Sequence, residues 1–318
     1  QPLVSIVTPT YNNGSFIREC VESVLQQEYP FVEHIIQDSE STDATKKIIK
    51  PYLTEEYKGR IKWVSRKDKG QADGLDQALK RSSGDIIFVL NGDDTLLPYA
   101  CSWAVAHFKK FPSMAVIYGD VYMVDEKGAI TRIGFGGEYD FKKLFCVELV
   151  PPAQAAFIQR MYFEKVGLGA DPNIDTCPDF EMWVRIGLQF PMKYIPGIIS
   201  NYRVYPHADS HAPRSALRFY RAKKSVIDRT LENKETPRNI KKLKQRAYAS
   251  LATWTAREYY QANNFTEGTM FLLRSFQTQP SRAKINALIS IFFDSPIAFT
   301  KIIGTLLFQL FQRPLIRT

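Results

Sequence analysis

The sequence predicts an α/β fold, in which helices flank a Rossmann-like mixed, mostly parallel β-sheet and an α-helical extension follows at the C-terminus. Three observations predict it. Apolar segments alternate with helical segments through the first 111 residues, and a polar cluster follows each of the first four apolar segments. From about Arg214 onward the pattern is helical. Alternation of this kind is typical of parallel sheets that are covered by helices on both faces.

Each element is predicted from its local sequence. Short apolar, β-branched runs predict strands at Leu3–Thr8, Val32–Gln37, Ile61–Ser65 and Ile86–Leu90. Helical spacing predicts helices at Phe16–Gln27, after Ser41 or Thr42 as a cap, across "GQADGLDQALKRS", and after Pro98, which suits a first turn. "AVIYGDVYMVDEKGAI" predicts a fifth strand with a hairpin turn at Glu126–Gly128, and a later strand is predicted at Lys193–Ile199.

The charge differs between the two parts of the chain. Residues 1–212 contain 23 Lys and Arg against 27 Asp and Glu, whereas residues 213–318 contain 19 against 6. A basic tail of this kind favours an anionic lipid surface or a nucleic acid as its partner. Because the tail has no stacking or helix-turn-helix pattern, we expect no nucleic-acid partner.

The cysteines and the first residues bear on the compartment. Cys20, Cys101, Cys146 and Cys177 form no CxxC pair, and no His lies at metal-ligand spacing, so they are interpreted as core thiols of a reducing compartment. "QPLVSIVTPTYNNG" lacks the basic start and apolar run of a secretory leader, so we expect a cytoplasmic location. The chain begins at Gln1 instead of Met, which leaves open that a leader has been removed.

Acidic residues cluster where the first four predicted strands end. "TPTYNN", "QDSESTD", "RKDKGQAD" and "NGDD" follow these strands and contain Asp38, Asp43, Asp68, Asp73, Asp93 and Asp94. The carboxyl ends of strands are where open α/β sheets bind ligands. No glycine-rich phosphate motif of the dinucleotide-binding or P-loop kind occurs, which indicates that a metal ion holds the phosphate.

The adjacent acids Asp93 and Asp94 predict a divalent-cation site. Neighbouring carboxylates repel each other, and Mg²⁺ or Mn²⁺ prefers one or two carboxylates together with substrate phosphate. Such an ion would bridge a diphosphate and stabilise it as a leaving group. The alternative interpretation is a solvated turn that caps the next helix.

These motifs resemble those of the family 2 inverting glycosyltransferases, which have the GT-A fold of nucleotide-diphospho-sugar transferases. The resemblance covers roughly residues 2–205 through "SIVTPTYNNGSFIRECVESVLQQEYP", "IIQDSESTDAT", "DKGQADGLDQALKRSSGDIIFVLNGDD" and "PDFEMWVRIG". It implies Mn²⁺ or Mg²⁺ as cofactor, held by Asp93, Asp94 and His207, with Asp94 as the direct ligand. It also implies a nucleotide-sugar pocket formed by Pro9, Tyr11, Asp38, Asp68, Gln71, Asp73, Asn91, Asp93 and Arg203, in which Asp38 and Asp68 contact base and ribose and Arg203 holds phosphate.

The resemblance implies that Asp179 is the catalytic base. Inverting transfer needs a carboxylate that deprotonates the acceptor hydroxyl. Relatives usually carry Glu-Asp where this chain has Pro178–Asp179, so the departure removes only the helper of the base. Two alternatives stay open: Asp179 could be a simple helix N-cap, and Glu181 is the second choice of base. Gln154 and Glu181 are placed on the acceptor side.

The predicted domains are a catalytic domain at residues 1–212 and a helical extension at 213–318. Residues 238–280 resemble one tetratricopeptide-type hairpin, which is expected to pack on the catalytic domain or on another copy. The apolar stretch at 284–313 is interrupted by Asp294, Pro296 and Lys301, which disfavours a spanning helix. We expect it to lie as amphipathic helices on the inner face of the cell membrane; a subunit interface in a homo-oligomer is the alternative.

The predicted function is metal-dependent transfer of a sugar from a nucleoside diphosphate sugar to a hydroxyl of a glycan or lipid-linked acceptor in cell-surface polysaccharide synthesis. The family resemblance favours a UDP-sugar as donor. The alternative is a membrane-associated scaffold with a vestigial pocket. Nucleotidyl transfer is disfavoured because no glycine- and lysine-rich loop follows the first strand.

Overall fold

The structure is a computed structural model, and it describes residues 1–57, 59–171, 173–174, 176–205 and 215–279. The predicted metal ligand His207 and the predicted membrane-associating helices at 284–313 lie outside these residues. The described residues divide into two compact units, one within residues 1–144 and 149–205, the other comprising residues 145–148 and 215–279. The predicted domain boundary at residue 212 stays a prediction.

The first unit contains a nine-stranded sheet flanked by helices. Its strands are β1 Val4–Thr10, β2 Val32–Asp38, β3 Ile61–Ser65, β4 Ile86–Val89, β5 Thr95–Leu96, β6 Val116–Val124, β7 Ile130–Gly134, β8 Ala156–Gln159 and β9 Met192–Arg203. Its helices are α1 Ile17–Leu25, α2 Thr45–Ile49, α3 Gln71–Arg81, α4 Ala100–Lys110, α5 Phe141–Phe145, α6 Arg160–Lys165 and α7 Pro178–Gly187.

The strand order is β3-β2-β1-β4-β8-β6-β9-β5, and β7 pairs with β6. The pairs β1–β2, β2–β3, β1–β4 and β6–β9 are parallel, whereas β8 runs antiparallel between β4 and β6. Apolar residues of the central strands, such as Ile6, Ile36 and Phe88, are buried in one cluster with residues of α1 and α4. The predicted mixed, mostly parallel sheet flanked by helices is therefore confirmed.

The strands lie close to their predicted positions, whereas the predicted N-terminal residues of two helices do not. Neither Ser41 nor Thr42 caps α2, because its N-cap position is Ala44 and the Ser41 hydroxyl donates to Asp38 instead. Pro98 precedes α4 by two residues and does not lie in its first turn. The hairpin turn at Glu126–Gly128 is confirmed by the hydrogen bond from Asp125 N to Ala129 O at 2.9 Å.

Two elements near the acidic residues differ from prediction. The two-residue strand β5 was not predicted, since so short a segment carries no periodicity of its own. The strand predicted at Lys193–Ile199 is longer, and it continues to Arg203 because it pairs with β6 on one side and β5 on the other. These pairings bring Arg203 to the end of β4.

The second unit is helical, with α8 Ser215–Glu232, α9 Arg238–Lys241, α10 Lys244–Gln261 and α11 Phe265–Thr278. The antiparallel neighbours α10 and α11 lie at the place of the predicted hairpin, and Asn264 caps α11 by accepting from Glu267 N. A side chain at Gly268 would meet the Tyr260 ring at 2.6 Å, so the close approach of these helices needs glycine there. No helix among the described residues is both long and apolar enough to cross a membrane.

Candidate functional site

The turn Asn91–Asp94, which we call the acidic turn, follows β4 directly. Leu90 N still donates to Val7 O at 2.9 Å, so the chain leaves the sheet only at Asn91. A Cβ atom at Gly92 would lie 2.7 Å from Asn13 Nδ2 and 2.8 Å from Thr10 Oγ1, which requires glycine at this position. The backbone then turns through the 3.1 Å bond from Asp94 N to Asn91 O and enters β5. Local backbone geometry thus places both carboxylates at the end of the sheet.

The two acids of the turn have different surroundings. Asp94 is 1% exposed, and its Oδ1 accepts from Arg203 N at 2.8 Å while its Oδ2 accepts from Asn91 Nδ2 at 3.3 Å. Asp93 is only partly buried, and its Oδ2 accepts from the Tyr205 hydroxyl at 3.0 Å. The structure thus brings together the predicted site residues Asn91, Asp93, Asp94 and Arg203.

The acidic turn carries excess negative charge. Burial raises the pKa of the Asp93 carboxyl, although the Tyr205 hydrogen bond and the Arg203 charge act in the opposite direction. Burial, together with the charge of Asp93, raises the pKa of the Asp94 carboxyl well above its usual range. A raised carboxyl pKa means that the ionised form is disfavoured, and a bound cation would relieve this cost.

The donor set of the acidic turn fits Mg²⁺ or Mn²⁺. Within the described part of the chain, no group of three or more His, Cys, Asp or Glu side chains is placed to hold a metal ion. Two carboxylates alone, completed by water and substrate phosphate, are what these small hard cations prefer. Asp93 and Asp94 are the residues that would hold such a cation.

Arg203, predicted as a phosphate ligand, makes several hydrogen bonds within the protein in this structure. The residue is 3% exposed, and its Nε donates to Asp93 O at 2.9 Å. Its Nη1 donates to Asp125 O at 3.3 Å and Glu126 O at 2.9 Å, and its Nη2 donates to Glu19 Oε2 at 2.6 Å. Four of the five guanidinium N–H groups are therefore engaged inside the protein. The physical reason is the pairing of β9 with β6, which buries the side chain among main-chain carbonyls.

Asp38, predicted to contact base or ribose, is bonded within the protein in this structure. Its carboxylate is fully buried and accepts from Ser41 N at 3.2 Å, from the Ser41 hydroxyl, and from Ser65 Oγ at 2.5 Å. Since these donors come from the loop after β2 and from the end of β3, Asp38 ties two sheet-edge segments together. In this structure the carboxylate does not face outward toward a ligand.

Asp68 and Ser39 form a polar pair at this side of the sheet that is more accessible than Asp38. Asp68 Oδ1 accepts from Ser39 Oγ at 2.7 Å and from Gly70 N at 3.0 Å, and both residues are partly exposed. A Cβ atom at Gly74 would lie 2.7 Å from Asp68 Oδ2, so α3 approaches this carboxylate closely. Asp68 is thus partly exposed, and its contact with a nucleoside stays a prediction.

The remaining nucleotide-side residues line the ends of β1 and α3. Tyr11 is 59% exposed directly after β1, in which Pro9 is partly buried. Gln71 is exposed as the first residue of α3. Asp73 Oδ2 accepts from Lys69 N at 3.0 Å and from Gln77 Nε2 at 2.9 Å, so it stabilises the first turn of its own helix.

The end of β1 connects the acidic turn with the Ser39–Asp68 pair. Thr10 O accepts from Ser39 N at 2.9 Å, and Thr10 Oγ1 accepts from Asn13 Nδ2 at 3.0 Å, beside Gly92. Because the two clusters flank one residue, an extended ligand that spans both would cross the end of β1. The parallel pairing of β1 with both β2 and β4 produces this juxtaposition.

Asp179 lies in the first turn of α7 and is partly buried. It is not the N-cap, because that position belongs to Cys177, whose backbone is left-handed with φ 55° and which makes no side-chain cap bond. The N-cap alternative for Asp179 is therefore wrong.

Glu181, the alternative base on the predicted acceptor side, is 8% exposed and paired with Arg185 through contacts of 2.7 and 3.0 Å. Arg185 also donates to Val166 O at 3.0 Å and Gly169 O at 2.7 Å, so this pair holds the loop before α7. Gln154, also predicted on the acceptor side, is partly buried, and its main-chain oxygen accepts from Ser200 Oγ near the end of β9.

Several partners in the site were not predicted from the sequence. They are Glu19, Ser39, Ser65, Tyr205 and Arg185. Ser39 stands within "QDSESTD", whose polar character was noted, and Arg185 lies four residues after Glu181, a spacing typical of helical ion pairs. Glu19 carries no comparable signal, since its partner Arg203 is 184 residues away.

Comparison with known proteins agrees with this arrangement. The model of glycosyl transferase family 2 matches residues 5–167, a little over half of the 318 residues. A chondroitin synthase of Escherichia coli is 29% identical over 203 residues, which cover 63% of this chain and 29% of the synthase. An uncharacterised glycosyltransferase of Methanocaldococcus jannaschii is 25% identical over 223 residues, covering 67% of this chain and 74% of that protein. The chain thus spans less than a third of the synthase.

Solved structures show the same fold at low sequence identity. Residues 1–349 of S. aureus TarS in complex with UDP-GlcNAc align with a TM-score of 0.63 and 17% identity, over 87% of this chain and 82% of that one. A mannosyltransferase of Pyrobaculum calidifontis in complex with GDP-Man and Mn²⁺ aligns with a TM-score of 0.63 and 15% identity, over 98% and 88%. With the family model matching over half of its length, the chain belongs to glycosyl transferase family 2.

Proposed function

We propose that this glycosyltransferase moves a sugar from a nucleoside diphosphate sugar, with UDP favoured as the nucleotide, to a hydroxyl of a glycan or lipid-linked acceptor. The observation that carries the proposal is the acidic turn, where two carboxylates with raised pKa values stand at the end of β4. When bound there, Mn²⁺ or Mg²⁺ would supply the positive charge that stabilises a departing diphosphate. TarS, with its UDP-GlcNAc, and the mannosyltransferase, with its GDP-Man and Mn²⁺, support the substrate class.

The chain's own residues have separate roles in this proposal. Asp93 and Asp94 hold the cation, while Tyr11 and the Ser39–Asp68 pair bind the nucleoside across the end of β1. Asp179 accepts the proton of the acceptor hydroxyl as that oxygen attacks the anomeric carbon, which gives inversion in a single displacement. Gln154 orients the acceptor. Asp38 and Arg203 contact no substrate in this proposal; Asp38 stabilises the loop after β2, and Arg203 stabilises the acidic turn and the β6–β7 hairpin.

A role in cell-surface polysaccharide synthesis is proposed from the relatives. The E. coli protein is a chondroitin synthase, and a hyaluronan synthase of Pasteurella multocida is 26% identical over 201 residues. The basic composition of residues 213–318 supports association with an anionic membrane surface on the cytoplasmic side. Flotation of the full chain with vesicles that contain anionic lipid, compared with neutral vesicles, tests this association.

The donor is tested by thermal shift and by transfer assays. We expect UDP with Mn²⁺ to raise Tm more than GDP or dTDP with Mn²⁺, and EDTA to abolish both the Tm shift and hydrolysis of the UDP-sugar. Asp94→Asn should lose metal binding, whereas Asp85→Asn, a substitution outside the site, should not. If no nucleotide sugar is hydrolysed or transferred and no nucleotide binds, the proposed function is wrong.

A further inference from the structure

Arg203 stabilises the acidic turn through hydrogen bonds from both its main chain and its side chain. Its backbone N–H donates to Asp94 Oδ1 at 2.8 Å, and its Nε donates to the main-chain oxygen of Asp93 at 2.9 Å. The same guanidinium reaches the main-chain oxygens of Asp125 and Glu126 in the β6–β7 hairpin. Arg203 therefore fixes the acidic turn relative to a second turn.

The charge of this buried guanidinium has one carboxylate in direct contact among the described residues, and that carboxylate is not in the acidic turn. Glu19, on α1, accepts from Arg203 Nη2 at 2.6 Å. The side chain of Arg203 is 3% exposed and that of Glu19 is 56% exposed, so the pair reaches from the interior to the surface. The Phe16 ring lies 4.7 Å from the guanidinium carbon and covers another side of it.

In this arrangement the guanidinium pairs with Glu19 and not with the carboxylates of the acidic turn. Arg203 contacts Asp93 through its carbonyl and Asp94 through a backbone N–H, so neither contact is a side-chain ion pair. The charge of Arg203 already acts on the carboxyls of Asp93 and Asp94. A guanidinium released from Glu19 is therefore expected to pair with one of them, because fork-shaped pairing with a carboxylate is strongly favoured in buried surroundings. It would then compete with a cation.

We propose that Glu19 and Arg203 are a positioning pair, in which Glu19 holds the Arg203 guanidinium so that the acidic turn keeps its shape and its carboxylates stay available to a divalent cation. The availability to a cation rests on the proposed function, whereas the shape of the turn does not. Glu19 acts only through Arg203 and touches neither substrate nor metal.

The test compares Glu19→Gln with Glu22→Gln in the full chain. Glu22 lies one turn further along α1, is also exposed, and accepts from the Tyr52 hydroxyl at 2.7 Å, so the control removes the same charge from the same helix. Mn²⁺ binding in the presence of UDP is measured by electron paramagnetic resonance, and UDP binding without metal by calorimetry. We expect Glu19→Gln to raise the Mn²⁺ Kd about tenfold, the scale of one lost charge-assisted hydrogen bond, and to leave metal-free UDP binding unchanged.

Hydrogen exchange of the peptide spanning residues 91–96 provides a readout that does not depend on metal. Glu19→Gln should lower protection there relative to Glu22→Gln, and by more than in peptides distant from the acidic turn. Arg203→Lys keeps the positive charge but loses the planar guanidinium. It should also raise the Mn²⁺ Kd and lower the protection of residues 91–96. Equal Mn²⁺ affinity and equal exchange in Glu19→Gln and Glu22→Gln overturn the proposal. If the unaltered chain binds no Mn²⁺, the proposed function fails, and the exchange result alone decides whether the pair positions the turn.

Discussion

The assignment of the base to Asp179 predicts opposite effects for two carboxylates of α7. Replacing Asp179 by Asn keeps the size of the side chain and removes its ability to accept a proton. General-base catalysis contributes about 10²- to 10⁴-fold to a rate, so kcat should fall by that range. Because Asp179 is only partly buried, we expect Tm to fall less than it does when a buried ion pair is broken.

Glu181→Gln should show the reverse pattern. Its two contacts with Arg185, at 2.7 and 3.0 Å, are the ion pair that orients the guanidinium toward Val166 O and Gly169 O. Losing one partner of a fully buried pair costs about 3–5 kcal/mol, and the 24% exposure of Arg185 reduces this to about 2 kcal/mol. At about 2–4 °C per kcal/mol, Tm should fall by about 4–8 °C.

The assay measures kcat, the donor KM and Tm for both variants with the same nucleotide sugar and acceptor. The expected result is a large loss of kcat with a small loss of Tm for Asp179→Asn, and a larger loss of Tm with a much smaller loss of kcat for Glu181→Gln. If Glu181→Gln has the larger loss of kcat at unchanged Tm, the base is Glu181 and the assignment of Asp179 is wrong.

Three further predictions concern the sheet and the acidic turn. Burial lowers the pKa of His34, which is buried in β2, to about 3. Between about pH 6.5 and 3 the unfolded chain therefore binds a proton that the folded chain does not, and the free energy of unfolding falls by up to about 5 kcal/mol as the pH falls through that window. Urea unfolding as a function of pH should show a shallower slope for His34→Gln than for the unaltered protein. Gly92→Ala places a Cβ 2.7 Å from Asn13 and should cost about 1–3 kcal/mol and weaken Mn²⁺ binding, measured by urea unfolding and calorimetry. Gly59→Ala, whose φ of 82° also strains an alanine but which lies outside the site, should lower stability and leave metal binding unchanged. Asp94→Asn removes the repulsion between the two carboxylates and should therefore raise the Tm of the metal-free protein. The same substitution should abolish the Tm shift caused by Mn²⁺ and UDP. A lower Tm of the metal-free variant contradicts this explanation.

Features that depend on a few neighbouring residues could be predicted from the sequence. The first four strands, the β6–β7 hairpin and the position of Asp93 and Asp94 at a strand end follow from apolar runs and turn residues, which act within a few positions. The caps were predicted less well, because a serine next to a helix has other partners in space. Ser41 bonds to the buried Asp38 instead of capping α2, and no local pattern distinguishes the two roles.

The sequence alone determined the fold class, the family and the place of the acidic turn, because these depend on periodicity and on motifs of adjacent residues. Only the tertiary structure decided which of the polar residues are buried and which stay exposed. Asp38 and Arg203 stand in motifs as suggestive as that of Asp68, but strand pairing encloses the first two and leaves Asp68 accessible. The partners that decide this, such as Glu19 for Arg203, come from distant parts of the chain, and burial and hydrogen bonding between them depend on distance in space, which the order of residues does not contain.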